Sequence, residues 1–210
     1  MSFLTLGFFT GLSLILAIGA QNIFVIEQGL KKQYVFLVCL ICSISDLILI
    51  FLGIFLFEYF KFYFTENVQL IFNILLLIFL IYFIYSKIRS LYNRSDINFG
   101  NNILSLKNII VKTLGFTYLN PHVYSDTVFF LGNFSKNFLI TNKYFFGIGA
   151  SIASFLFFFS LGYLAKFFSN YLINSNVWKG INFFIIIFMT VLSSYVFLDI
   201  VDLIFHFTKY

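Results

Sequence analysis

Two carboxylates stand where water should be absent. Asp46 is the only charged residue in the run from Tyr34 to Phe57, and Asp126 lies in another apolar run, flanked by Tyr124, Ser125, Thr127 and Phe129. An ionisable group near the middle of a bilayer-length span costs about 2.5–3.5 kcal/mol on insertion scales, so it marks a functional site by default. A carboxylate in apolar surroundings can trade a proton for a cationic ligand. A pair of them suits a doubly cationic molecule or a proton relay. For Asp126 the plainer alternative is a structural acid that pairs with a loop lysine or caps a broken helix.

Two polar interruptions accompany the acids. Gly19-Ala20-Gln21-Asn22 breaks the first apolar run, and Leu119-Asn120-Pro121-His122 breaks the fourth. Pro121, the only proline, removes a helical hydrogen bond and clashes with the preceding turn. Gln21, Asn22 and Asn120 can re-pair the backbone groups that such breaks release. Taken alone, Pro121 would be a harmless kink. Two breaks at equivalent places point instead to a site, because half-helix N-termini attract anionic groups and freed carbonyls attract cations. His122 is either a proton shuttle or a hydrogen-bonded structural imidazole. Tyr124, and Ser43 one turn before Asp46, complete the candidate set.

The remaining polar groups are less telling. Cys39 and Cys42 form a C-x-x-C, which could serve a quinone-linked oxidoreductase. Inside an apolar helix, however, they lack the accessible, electropositive setting a reactive thiolate needs, and packing is the simpler reading. No catalytic residue, metal site or cofactor is expected. Glu27, beside Lys31 and Lys32 at a span end, reads as solvated interfacial charge, and Asp199 and Asp202 sit where they can reach water. Trp178 and several tyrosines near loop ends fit interfacial anchoring.

The elements that must position these groups follow from composition. Of the 210 residues 61% are hydrophobic and 10% charged, against about 25% charged in soluble domains. That excludes an ordinary water-soluble protein and leaves an all-α integral membrane protein, since lipid tolerates only helices and closed barrels and these runs are too long and unalternating for barrel strands. Six spans are predicted, at about Phe3–Ile26, Tyr34–Phe57, Val68–Ser86, Ile109–Leu131, Tyr144–Ala165 and Ile181–Phe205. The start lacks the positive n-region and cleavage pattern of a removable signal peptide. Loops after spans one, three and five carry nine Lys and Arg, and the other side carries four. The positive-inside rule puts the nine in the cytoplasm and both termini outside if every span crosses. The net charge of +5 suits anionic lipid, and nothing calls for nucleic acid.

The chain reads as one domain, 1–210, built from halves at about 1–90 and 105–210. Ser43-Ile44-Ser45-Asp46 and Gly53 in the second span echo Ser151-Ile152-Ala153-Ser154 and Gly162 in the fifth. With three helices per half, the second half enters from the opposite face, giving a 3+3 inverted repeat with spans one and four interrupted. Cys39, Cys42, Ser43, Asp46, Ile50 and Gly53 fall on one stripe, which turns Asp46 into the bundle. Gly7-x-x-x-Gly11 marks a close-packing face or a homodimer face.

Gly19-Ala20-Gln21-Asn22-Ile23-Phe24-Val25 with Gln28-Gly29, then Ser45-Asp46-Leu47, then Leu119-Asn120-Pro121-His122-Val123-Tyr124-x-Asp126-Thr127 resemble the lysine exporter (LysE) family, most closely its arginine exporter branch. The similarity runs from about Gly7 to Phe168. It implies a bacterial inner-membrane secondary transporter that exports basic amino acids, arginine or lysine, driven by the proton motive force. The family's aspartate pair falls on Asp46 and Asp126. Where the family commonly has a proline in the first break, this chain has Ala20. Related exporters carry neutral amino acids or other small solutes, and the paired acids favour a cationic cargo. A passive channel would need a wetter set of lining residues.

Overall fold

The computed structural model describes residues 2–16, 19–63, 65–92, 105–169 and 175–207, and every element in them is helical. In chain order these are α1 (Phe3–Ile15), α2 (Ala20–Lys31), α3 (Val35–Tyr63), α4 (Glu66–Tyr92), α5 (Leu106–Tyr118) and α6 (Pro121–Tyr124). A π-helical turn (Ser125–Phe130) leads into α7 (Leu131–Ser135), and α8 (Ile140–Phe168) and α9 (Ser175–Phe207) follow. The side chains of Pro121, His122 and Trp178, and the connection that carries Arg94 and Asp96, lie outside the described residues.

Among the described residues four helices, α3, α4, α8 and α9, are long and apolar enough to cross a membrane, and α1 with α2 makes a fifth if that bent pair is one span. The expected multi-pass helical architecture is therefore present, with four to five such spans among the described residues where six are predicted, and the departures concentrate at the two predicted breaks. At the first, α1 and α2 meet at 84°. At the second, the expected span Ile109–Leu131 is a succession of α5, α6, the π turn and α7. The unbroken helices overrun their predicted ends. At about 1.5 Å per residue, the 29 residues of α8 exceed the roughly 30 Å of hydrocarbon, because hydropathy marks where lipid stops and the helix continues into the headgroups.

Each break is closed by a side chain from the far side. α1 stops at Ile15, and the Asn22 Nδ2 donates to the Ile15 carbonyl at 3.2 Å, satisfying a group the helix end would otherwise orphan. α5 stops at Tyr118, and the Tyr124 hydroxyl donates to the Tyr118 carbonyl at 2.9 Å. Pro121 opens α6, the position where its missing N–H costs nothing.

Packing follows the small residues. α1 and α2 lie on α8, the π turn and α7 lie on α3, α3 crosses α8, and α4 pairs with α9. A Cβ on Gly29 of α2 would sit 2.5 Å from the Gly162 carbonyl oxygen of α8. One on Gly132 of α7 would sit 2.6 Å from the Gly53 carbonyl oxygen of α3. Gly7 presses on the Phe146 backbone, and a Cβ on Gly11 would meet the Ala150 Cα at 2.9 Å. The Gly7-x-x-x-Gly11 face thus packs inside the chain against α8, the close-packing reading of that motif.

The two ends of the bundle differ. The C-terminal ends of α2 and α8 meet at Gly29, Ala165 and Lys166, and Val35 and Cys39 of α3 reach Gly162 there; Lys31, Lys32 and Lys166 gather at this end. At the other end Phe3 touches Phe138 with ring centroids 4.9 Å apart, and Lys136 and Lys143 border a shallow pocket with Phe57 and Gly132. Glu27, expected to be solvated, is only 2% exposed and pairs with Lys31. It was misread because a span-end position in sequence says nothing of whether a neighbouring helix covers it. Ile71, Ile78 and Ile81 on α4, with Phe183, Ile187 and Val191 on α9, are exposed apolar side chains.

Candidate functional site

A cavity of about 230 Å³ lies where the two buried apolar clusters of the bundle meet, touching Leu76, Phe158 and Val196 of one and Ile50 and Leu131 of the other. A cavity of roughly 150 Å³ already admits benzene, so this one takes a molecule of amino-acid size. Its polar lining is Gly19, Gln21, Asn22, Asp46, Asn120, Asp126 and Thr127. Gly19, Gln21 and Asn22 of the first break, Asn120 of the second and both acids therefore converge on one space, although they lie at α2, on α3, in the link between α5 and α6, and in the π turn.

Each polar group arrives by a local cause. Asp46 is 3% exposed, and its Oδ2 accepts a hydrogen bond from the Ser154 hydroxyl of α8 at 2.8 Å. Gln21 and Asn22 occupy the first turn of α2, whose N-cap Gly19 is extended at φ −117° and leaves that helix end uncapped by any side chain. Asn120 ends the α5 segment, and its carbonyl accepts from the Val123 N–H at 3.2 Å. Asp126 and Thr127 sit in the π turn, an insertion that re-aims side chains and recurs at functional sites. The Thr127 hydroxyl ties back to the Val123 carbonyl at 2.6 Å.

Not every candidate joins the cavity. Tyr124 seals the break through Tyr118, and its ring lies tilted against Phe72 with centroids 5.2 Å apart. Ser43 is fully buried on α3 and absent from the cavity wall. His122 falls among the side chains outside the description. Cys39 and Cys42 are free thiols with no exposure, and Cys39 Sγ donates to the Phe158 carbonyl at 3.2 Å, a packing role that leaves no path for a redox partner. Sequence reasoning missed Ser154 as the partner of Asp46, Thr127, and the apolar wall of Leu76, Leu192 and Val196 from α4 and α9. The π turn had one signal, Pro121 a few residues ahead of Asp126; the wall had none.

Chemically, the cavity offers two carboxylates, amides from both breaks, the Thr127 side chain and an otherwise apolar lining. Comparison with known proteins places this arrangement. The model of the LysE type translocator matches residues 12–199. The chain belongs to the LysE family. The arginine exporter protein ArgO of Pectobacterium carotovorum is 33% identical over 189 residues, covering 85% of this chain and 88% of its own length. ArgO of Klebsiella pneumoniae is 33% identical over 170 residues, 76% of each chain, and that of Salmonella paratyphi A is 30% identical over 198 residues, 89% of each. No solved structure matches the chain. As a LysE member with several apolar spans, this is a multi-pass protein of the bacterial inner membrane, a translocator and not an enzyme.

Proposed function

We propose that this LysE member exports a basic amino acid, arginine first and lysine second, through the cavity at the two helix breaks. The observation that carries the reading is the convergence of Asp46 and Asp126 on one space of amino-acid size. A carboxylate pair in an apolar wall binds a cation that matches it and rejects a neutral side chain, which would leave buried charge unpaired. The relatives' names as arginine exporters agree with that chemistry. In this reading the acids hold the cationic side chain and α-amino group, while the first-turn amides of α2 and the Asn120 side chain receive the α-carboxylate. Protonation of either acid from outside removes a counter-charge, which couples release to the proton gradient.

The architecture that moves this site is a 3+3 inverted repeat within a single transporter domain. Three pairings support it. The broken helix of each half packs on the long helix of the other, α1 and α2 on α8, the π turn and α7 on α3. Gly29 against Gly162 is matched by Gly132 against Gly53. Asp46 and Ser154, which occupy the same place in the aligned halves, hydrogen-bond to each other, and equivalent residues touch only near a two-fold axis. Phe3 at one end of α8 and Gly29 at the other favour a first span that crosses. Rocking of one half against the other then opens the cavity to each face in turn.

The test is efflux of radiolabelled arginine from preloaded cells. Asp46→Asn and Asp126→Asn, present at normal membrane levels, are each expected to reduce efflux to background; an unchanged rate in both would end the aspartate mechanism. Competition by lysine, canavanine and leucine ranks the cargo.

A further inference from the structure

The inward face of α4 is a stripe of buried residues at spacings of three and four, Asn73, Leu76, Leu80 and Phe83, the pattern of one helix side. Phe83 meets Phe24 and Phe116 with ring centroids 6.5 and 5.0 Å away, on the side of the cavity where α2 runs toward Lys31 and Lys32. Leu76 lies on the cavity wall. Asn73 therefore stands one turn, about 4.5 Å of helix rise, beyond that wall toward the opposite end of the bundle, the outer one by the positive-inside rule. Its neighbour Phe72 packs on Tyr124, the last residue before the π turn that carries Asp126. Asn73 is 1% exposed, and neither its Oδ1 nor its Nδ2 has a hydrogen-bond partner among the described residues. It is also the one buried polar side chain of α4 and α9 among those residues; α9 buries Ile185, Met189, Val196 and Ile200. An amide taken out of water without a partner is costly. In membrane helices such a side chain ordinarily bonds a facing helix and holds the pair together, and Asn73 makes no such bond.

We propose that Asn73 is a cargo contact on the outer side of the cavity, whose Nδ2 donates to the α-carboxylate of the departing amino acid. Within the cavity that carboxylate belongs to the amides at the two breaks; opening toward the outer end brings it level with Asn73, whose amide then gains the partner it lacks. The residue type fits the task. A lysine there would hold the carboxylate with a full charge and oppose the cationic side chain that must pass, whereas a neutral amide donates without either effect. Protonation of Asp46 or Asp126 leaves the amide unchanged, so this contact persists while the counter-charges are withdrawn. The place of the unpaired amide rests on packing; the cargo and its direction rest on the export reading.

The experiment uses the full-length protein in two vesicle orientations preloaded with arginine, with exchange against labelled arginine supplied outside. Inside-out vesicles load the cytoplasmic face and right-side-out vesicles load the outer face. Replacing an unpaired buried amide removes a desolvated group and no bond, so Asn73→Leu and Asn73→Ala are both expected to reach the membrane at parental levels. Each should raise the outer-face KM for arginine several-fold and leave the cytoplasmic-face KM unchanged. Asn73→Gln, which keeps the donor, should recover part of the loss. Agmatine, which is arginine without its carboxylate, should compete at the outer face equally well in the parent and in Asn73→Leu. Parental KM values at both faces in both variants overturn the contact, and so do equal rises at both faces, which would mark general damage to the cavity. A parallel loss of arginine and agmatine overturns the carboxylate assignment. If the parent exchanges arginine and the Asn73 variants match it, this inference fails alone. If the parent moves no arginine at all, the export reading fails and takes the cargo contact with it.

Discussion

The hydrogen bond from Ser154 to Asp46 joins two residues 108 positions apart and gives a buried carboxylate its donor. Removing that donor leaves an acceptor unsatisfied, at a cost of about 1–3 kcal/mol. Ser154→Ala is therefore expected to lower the unfolding temperature in detergent and slow arginine efflux, while leaving the protein in the membrane; a variant with wild-type melting would show that Asp46 is held by other groups. Glycine positions separate just as sharply. At Gly19 an added Cβ meets nothing within 4 Å and the backbone is in ordinary extended territory. Gly19→Ala should express, fold and export near normally, although the break in the sequence draws the eye to that glycine. Gly29, seven residues beyond Asn22 and far less conspicuous, is the one with no room.

At the scale of elements, the contacts between broken and unbroken helices are set by backbone approach. Gly29→Val and Gly132→Val would each drive a side chain into a carbonyl of the facing helix, where backbone cannot rotate aside as a side chain can. Both are expected to lower the folded, monodisperse fraction seen by fluorescence-detected size exclusion, whereas Gly19→Ala should not. The breaks themselves are only partly legible in sequence. Pro121 and the Gly19-to-Asn22 stretch announce that helices stop, because proline geometry and polar residues in lipid act locally. The side chain that seals each stop was assignable only in part: Asn22 takes the role its amide suits, but Tyr124, read as a site candidate, closes the second break. The π turn is an extra residue absorbed within a helix, and no residue type demands it.

For the whole molecule, the proposed two-fold relation between halves yields a test that no single helix could. If Asp46 and Ser154 straddle the axis, the carboxylate can be moved across it. Asp46→Ser should abolish arginine efflux, and the added change Ser154→Asp should restore a measurable part of it; a double variant as inactive as the single one would argue against equivalence of the two positions. Orientation is testable with reporters. A fluorescent fusion truncated after Tyr92 is expected to light up in the cytoplasm, and a phosphatase fusion after Lys143 to be active outside. The reverse pattern would invert the bundle.

Membrane residence, the helical class, the two acids and the two breaks were determined by sequence alone, because each depends on a local property: the cost of charge in lipid, the missing N–H of proline, the length of an apolar run. Family membership was legible from short motifs for the same reason. The tertiary structure alone decided that Asp46 meets Ser154, that Asp126 reaches the same cavity from a π turn, and that Glu27 is buried against another helix. Those outcomes depend on which helix covers which face. That is settled by close approach at Gly29, Gly53, Gly132 and Gly162, between segments far apart in the chain, and no periodicity within one segment encodes it.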